Sequence, residues 1–136
     1  MTKNEFFKYL PNFTSGIFTT VRADGIPEGR GFEYEFEKDG NIYFYTAHTK
    51  DVYQELEANP VAAFTYMEPT GKFTVRINGK VGFITDTEEK KALWEKLDPV
   101  VQKMYKTWDN PIGEWICIEK PEMKLSIGFG EAKTVE

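Results

Sequence analysis

The segment Glu28–Gly31 could bind an anion through its arginine. Arg30 stands between Gly29 and Gly31, so there is space around its side chain. The forked donors of a guanidinium suit a phosphate or a carboxylate. A turn arginine paired with one of the nearby glutamates is the alternative interpretation, and the segment by itself does not exclude it.

A second candidate anion site lies in the segment Tyr43–Asp51, which runs from the end of a predicted strand into the start of a predicted helix. The first turn of a helix presents unpaired N–H groups and a positive dipole end, and both attract anions. Thr46, Thr49 and Lys50 would add hydroxyl and ammonium donors there. Alternatively, Thr49 only caps the helix and Lys50 is solvated, although capping is compatible with anion binding.

The third segment is Phe73–Gly79, where polar and apolar residues alternate. Thr74 and Arg76 share the face opposite Phe73, Val75 and Ile77. Period-2 alternation is typical of a half-exposed strand. By itself this segment predicts an ordinary half-exposed strand. It becomes a candidate binding segment only in combination with the other two segments.

The rare residues and the charge exclude several classes of site. The single cysteine, Cys117, allows no internal disulfide and no cysteine-rich zinc site, and the single histidine, His48, allows no His-pair metal site. A net charge of −5 argues against nucleic-acid or anionic-membrane partners. No signal-like start and no apolar stretch near the ~18 residues of a membrane span occur, so we expect a soluble cytoplasmic protein.

The 136 residues predict a single domain with its own core, residues 1–136. We predict short helices at Thr2–Leu10 and Lys50–Ala58 and a longer one from Asp86 that Pro99 divides. The predicted strands are Thr14–Arg22, Gly31–Glu37, Ile42–Thr46, Val61–Met67, Phe73–Thr85 with a bend at Asn78–Gly79, Glu114–Glu119 and Met123–Phe129. This order favours a closed or partly closed antiparallel β-barrel with helices outside, and an open α+β sheet is the alternative.

The strand Gly31–Glu37 has the clearest pattern in the chain. Aromatic and acidic side chains alternate along it without exception. Such alternation indicates a half-buried strand with one face in the core. We therefore expect Glu33, Glu35 and Glu37 all to face away from the core.

Four short motifs occur in a fixed order: Gly-Arg-Gly-Phe-Glu-Tyr, Tyr-Phe-Tyr-Thr-Ala-His-Thr-Lys-Asp-Val-Tyr, Leu-Glu-Ala-Asn-Pro and Val-Arg-Ile-Asn-Gly-Lys. Together they resemble the pyridoxamine 5′-phosphate oxidase-like family of FMN-binding split barrels, in particular its small single-domain bacterial members. The resemblance extends from about Gly16 to Phe129 and is densest between Arg30 and Val81. It implies a mainly β, six-stranded antiparallel split β-barrel with flanking helices. It also implies a homodimer with FMN in two clefts between the subunits.

The resemblance also implies which residues hold FMN. Arg30 and Lys50 match the residues that bind the phosphate, and Thr74 matches a flavin contact supplied by the other subunit. The full set of implied cofactor-binding residues is Arg30, Gly31, Phe32, Glu33, Tyr45, Thr46, Thr49, Lys50 and Thr74. No metal ligand and no catalytic acid or base is assigned, although His48 and Tyr45 fall beside the expected flavin.

Three departures from the family pattern narrow the expected activity. His48-Thr49-Lys50 stands where the full oxidases have Ser-Arg-Lys, threonine replaces glutamine at position 74, and the C-terminal Trp and Arg of those oxidases have no match. We therefore expect an FMN-dependent oxidoreductase with an unknown substrate, not a pyridoxamine phosphate oxidase. The alternatives are a non-enzymatic flavin binder or electron carrier, or a split barrel that binds deazaflavin or haem.

Overall fold

A computed structural model describes residues 1–136 as one nine-stranded antiparallel sheet with four helices. The strands are β1 Thr14–Val21, β2 Pro27–Tyr34, β3 Phe36–Lys38, β4 Asn41–Ala47, β5 Val61–Met67, β6 Phe73–Ile84, β7 Gly113–Ile118, β8 Glu122–Ile127 and β9 Lys133–Thr134. The helices are α1 Lys3–Phe7, α2 Asp51–Ala58, α3 Thr87–Trp94 and α4 Pro99–Tyr105. The predicted mainly β antiparallel architecture is confirmed. The chain forms nine strand segments, whereas seven were predicted along the chain and six were implied by the resemblance. The predicted strand Gly31–Glu37 is divided between β2 and β3, and β9 was not predicted.

The barrel closes through a kink at Glu35. The strand order is β2-β1-β5-β6-β7-β4-β3, so the two end strands are consecutive pieces of one segment. The Glu35 N–H donates to the Tyr43 carbonyl at 3.0 Å, and the Phe13 N–H donates to the Glu35 carbonyl at 3.2 Å. On the other side of this kink β2 pairs only with β1. The barrel is therefore closed by the pairing of β3 with β4, and it is split where β2 and β4 do not pair.

The kink corrects the prediction of one strand over Gly31–Glu37. Glu35 does not face away from the core but is 1% exposed, between two flanking aromatic residues that are also buried. The kink moves Phe36 out of the aromatic core that contains Tyr34 and into a second apolar cluster. Strict alternation cannot continue where a strand passes from one core to another, because side chains on both faces are then buried.

The long strand β6 connects the two halves of the sheet. Its first half, Phe73–Asn78, pairs with β8, and its last residues, Val81–Ile84, pair with β7. The change of partner occurs at Gly79, where a Cβ would lie 3.0 Å from the Ile118 side chain. The predicted feature at Asn78–Gly79 is thus a change of partner strand along a continuous strand.

Aromatic side chains fill the barrel. The ring centroids of Phe18 and Phe32 lie 4.7 Å apart, and those of Phe18 and Phe44 lie 4.9 Å apart. Phe64 contacts the same group at 5.4 Å from Phe44. Offset and edge-to-face pairs of this kind stabilise a core by about 0.5–1.5 kcal/mol each beyond burial.

The helices α3 and α4 cover the outside of β3, β4 and β7. Leu93 and Leu97 pack on Trp115 in the second apolar cluster. Pro99 is the first residue of α4, which confirms that it divides the predicted helix. The helix α4 buries none of its residues, and its Met104 is 68% exposed.

The helix α2 follows β4 and packs on the barrel through buried Val52 and Leu56. It begins at Asp51, and its N-cap is Lys50, whose side chain makes no capping hydrogen bond. Thr49 is therefore not the cap. No helix of the protein combines the length and the apolar character that crossing a membrane requires.

Candidate functional site

Arg30 is held by three partners on the inner face of the barrel. Its Nη1 donates to the Thr20 hydroxyl at 2.8 Å and to the Phe18 carbonyl at 3.3 Å, and its Nη2 donates to Glu55 Oε1 at 2.5 Å. Glu55 belongs to α2, so this ion pair links the helix to β2. Arg30 is therefore paired with a carboxylate, as in the alternative interpretation of the sequence. The partner, however, lies on α2 and is not one of the glutamates close to Arg30 in the sequence.

The start of α2 borders the same end of the barrel as Arg30. The segment formed by β2 and β3 runs antiparallel to β4, so the start of β2 and the end of β4 lie at the same end of the barrel. Lys50 precedes Glu55 by five residues, or about 7.5 Å along the helix. Thr49 and Lys50 are exposed at this end. We call this end of the split, where Arg30 contacts α2 and where α2 begins after Lys50, the α2 mouth.

Thr46 supplies the observation that points most directly to a ligand. It lies on β4 beyond Phe44, is 1% exposed, and its hydroxyl has no hydrogen-bond partner. A buried hydroxyl without a partner costs about 1–3 kcal/mol. A ligand with hydroxyl or carbonyl groups at this position would remove that cost, so the residue fits the predicted cofactor.

Three further polar residues meet near the α2 mouth. Glu114, at the start of β7, lies with its Oε1 3.4 Å from His48 Nδ1 and accepts from the Tyr53 hydroxyl through its Oε2 at 3.3 Å. Burial and the adjacent carboxylate raise the pKa of Tyr53 to about 12. Sequence reasoning missed Glu114 and Tyr53, because their positions 61 residues apart carry no common pattern.

The other predicted residues divide between two faces. Thr74 alternates with buried Val75 and so lies on the outer face of the sheet. Gly31 and Glu33 likewise alternate with the inward-facing Phe32. Three strand spacings separate β2 from β6, or about 14 Å. One chain therefore does not bring Thr74 to Arg30.

Tyr45 lies on the opposite face of β4 from Thr46. Its ring packs against Trp94, Tyr105 and Trp115 at centroid distances of 4.8–5.9 Å. Burial raises its pKa to about 12, and its buried hydroxyl has no partner. It borders a cavity of about 240 Å³ together with the loop over residues 107–113, whose position the sequence left open.

Glu33 belongs to a group of three carboxyls at the kink. Burial, a hydrogen bond with Glu35 and repulsion from Glu35 and Asp98 raise the pKa of Glu33 to about 9. Burial also raises the pKa of Glu35, although the Asp98 N–H donates to its Oε1 at 3.1 Å. One proton shared by Glu33 and Glu35 lets both acids be buried beside Asp98.

The cavities of the single chain do not enclose the predicted phosphate cations. The largest, about 570 Å³, lies at the bend between β7 and β8 and is bordered by Lys80 and Glu119. Of the nine predicted cofactor residues only Tyr45 borders any of the five cavities. The α2 mouth is not enclosed within the single chain.

The sheet curls into a split β-barrel, and Arg30 lies at the α2 mouth. The family model described as pyridoxamine 5′-phosphate oxidase matches residues 2–116, and the chain belongs to that family. A pyridoxine/pyridoxamine 5′-phosphate oxidase of Pseudomonas fluorescens is 30% identical over 112 residues, which are 82% of this chain and 46% of that protein. This chain therefore spans less than half the length of that relative.

Solved structures show the same fold at lower identity. A NimC/NimA family protein from Clostridium acetobutylicum superposes with a TM-score of 0.81 at 23% identity, covering 97% of this chain and 90% of that one. A pyridoxamine 5′-phosphate oxidase-related, FMN-binding protein from Nostoc punctiforme gives 0.71 at 14% identity, covering 93% and 81%. A heme-binding protein from Mycobacterium smegmatis gives 0.72 at 14% identity, covering 91% and 53%. An F420 reductase gives 0.66 at 19% identity, covering 89% and 95%.

Proposed function

We propose that this protein binds FMN at the α2 mouth and acts as an oxidoreductase between a reduced nicotinamide or another electron donor and a small substrate. The observation that carries the proposal is the buried, unpartnered hydroxyl of Thr46 on the same barrel face as Arg30. Arg30, with Lys50 beside the start of α2, would bind the phosphate. When bound, the flavin supplies the electron-transfer chemistry, and the protein binds and orients it.

Flavin binding is tested by adding FMN to the purified protein, desalting it and recording its absorption spectrum. Retained flavin bands and an Arg30→Ala variant with at least about tenfold weaker FMN binding are the expected results. Lys103→Ala is the control, because Lys103 is an exposed cation on α4, away from the face that carries Thr74. Unchanged affinity in Arg30→Ala would contradict the role of Arg30, and turnover with NADH or NADPH separates an enzyme from a carrier.

Haem is a second candidate ligand, which the position of His48 favours. The side chain of this single histidine is 42% exposed and lies near the α2 mouth with Nδ1 facing Glu114. A histidine whose one nitrogen faces a carboxylate presents the other nitrogen as an axial ligand. Haem titration should then give a Soret band that His48→Ala loses, whereas a titration without such a band excludes this candidate.

We further propose a homodimer that completes the site. The outer face of the sheet exposes apolar side chains on two strands: Ile17 on β1, and Val61 and Met67 on β5. That face also carries Thr74, which lies too far from Arg30 to share a ligand within one chain. A second copy seated on this face would bury the apolar residues and bring its own Thr74 to the open α2 mouth.

The dimer is tested by light scattering and FMN titration of an Ile17→Asp variant. Ile17 is 49% exposed at the centre of the outer face, so we expect monomers that bind FMN more weakly. Met104→Asp is the control, since Met104 is exposed on α4 and outside that face. A wild-type protein that is monomeric with FMN bound would contradict the dimer while leaving the flavin site in place.

A further inference from the structure

Glu55 forms the tightest polar contact of Arg30. Its Oε1 accepts from Arg30 Nη2 at 2.5 Å and from the Thr20 hydroxyl at 2.6 Å. Thr20 is fully buried, and the Glu55 side chain is 15% exposed. The hydrogen bond from Thr20, with the charge of Arg30, lowers the pKa of Glu55, so this carboxylate is ionised at neutral pH. Arg30 therefore sits beside a permanent negative charge.

The contacts of Arg30 with protein acceptors reduce the number of its N–H donors that remain for a phosphate. Of its five N–H donors, two on Nη1 and one on Nη2 are already directed at protein acceptors. The remaining donors could still reach a ligand. However, a phosphate dianion bound there would lie close to the Glu55 carboxylate, and the repulsion would offset much of the attraction to Arg30.

We propose that Glu55 is a specificity-determining residue that cancels most of the contribution of Arg30 to the preference of this site for a phosphorylated flavin. Lys50, the other cation placed at the phosphate, is exposed at the N-cap of α2, so water screens its charge. The site then accepts flavins with a ribityl tail with similar affinity whether or not the tail carries a phosphate. This inference rests on the proposed flavin site. Uncharged ribityl hydroxyls are not repelled by Glu55, so only the phosphate of FMN is affected.

The test compares the dissociation constants of FMN and riboflavin for the full chain, measured by quenching of flavin fluorescence. In the wild type we expect the two constants to agree within about tenfold. Glu55→Gln keeps the shape of the side chain and removes its charge. It should tighten FMN binding by about tenfold or more and change riboflavin binding by less than about twofold. Glu57→Gln, on an exposed position of the same helix, should change neither constant.

Several outcomes would overturn the role of Glu55. A wild type that prefers FMN by more than about tenfold shows that Arg30 is not neutralised. A folded Glu55→Gln variant with an unchanged preference, or with weaker FMN binding, shows that Glu55 only positions Arg30. These results differ from failure of the flavin site itself, in which the wild type binds neither flavin. The wild-type comparison decides the question even if the variant does not fold.

Discussion

Replacing Glu33 by glutamine should make the protein less sensitive to alkaline pH. In the folded protein the pKa of Glu33 is raised from the ordinary 4.5 to about 9 by burial and by Glu35 and Asp98. Between those two pH values the folded state retains a proton that the unfolded chain releases. The contribution of this proton to stability is complete below pH 4.5 and is lost as the pH rises through about 9.

The size of the effect follows from one proton. The free energy of unfolding falls by at most about 1.4 kcal/mol per pH unit, or about 6 kcal/mol over the whole interval. Glu33 is only partly buried, so water screens the interaction, and we expect a net loss of about 1–2 kcal/mol. A glutamine at position 33 can donate an N–H to Glu35 at every pH, so the variant should escape this loss.

Urea unfolding of the wild type and Glu33→Gln at pH values from 5 to 9 measures the difference. We expect the variant to be more stable at pH 8 and its dependence on pH to be flatter. Glu95→Gln removes the same charge from an exposed position and should follow the wild type. Parallel curves for the wild type and Glu33→Gln would refute the shared proton at the kink.

Two further substitutions test the packing and the site. Gly16→Ala should destabilise the protein by about 1–3 kcal/mol, because the alanine Cβ would lie 2.6 Å from the Thr65 carbonyl oxygen. Thermal unfolding measures this loss of stability. Gly31→Ala is the control, because a Cβ at Gly31 would have open space around it. Thr46→Val should stabilise the unliganded protein by about 1 kcal/mol, since it removes a buried hydroxyl without a partner, and should weaken FMN binding. A Thr46→Val protein that is less stable without flavin would mean that the hydroxyl has a partner in solution.

The local pattern of the chain was sufficient to predict most of the helices and strands, but not the kink at Glu35 or the short strand β9. Thr2 and Glu5 stand at capping-box spacing in the sequence, and at the start of α1 both reciprocal hydrogen bonds of a capping box are present. Pro99 begins a new helix because proline fits the first turn and not a helix interior. These features depend on neighbours within a few residues, so the sequence contains all the information needed for them. The resemblance of four ordered motifs likewise identified the family before the fold was known.

The tertiary structure decided which of the predicted site residues meet. Arg30 and Thr46 share the barrel interior, whereas Tyr45 lies under the outer helices and Thr74 on the outer face of the sheet. Alternation along a strand predicts two faces but not which face meets which partner, because that depends on how the sheet curls. The kink at Glu35 and the ion pair of Arg30 with Glu55 join positions on different elements, and only packing of the barrel against α2 brings them together.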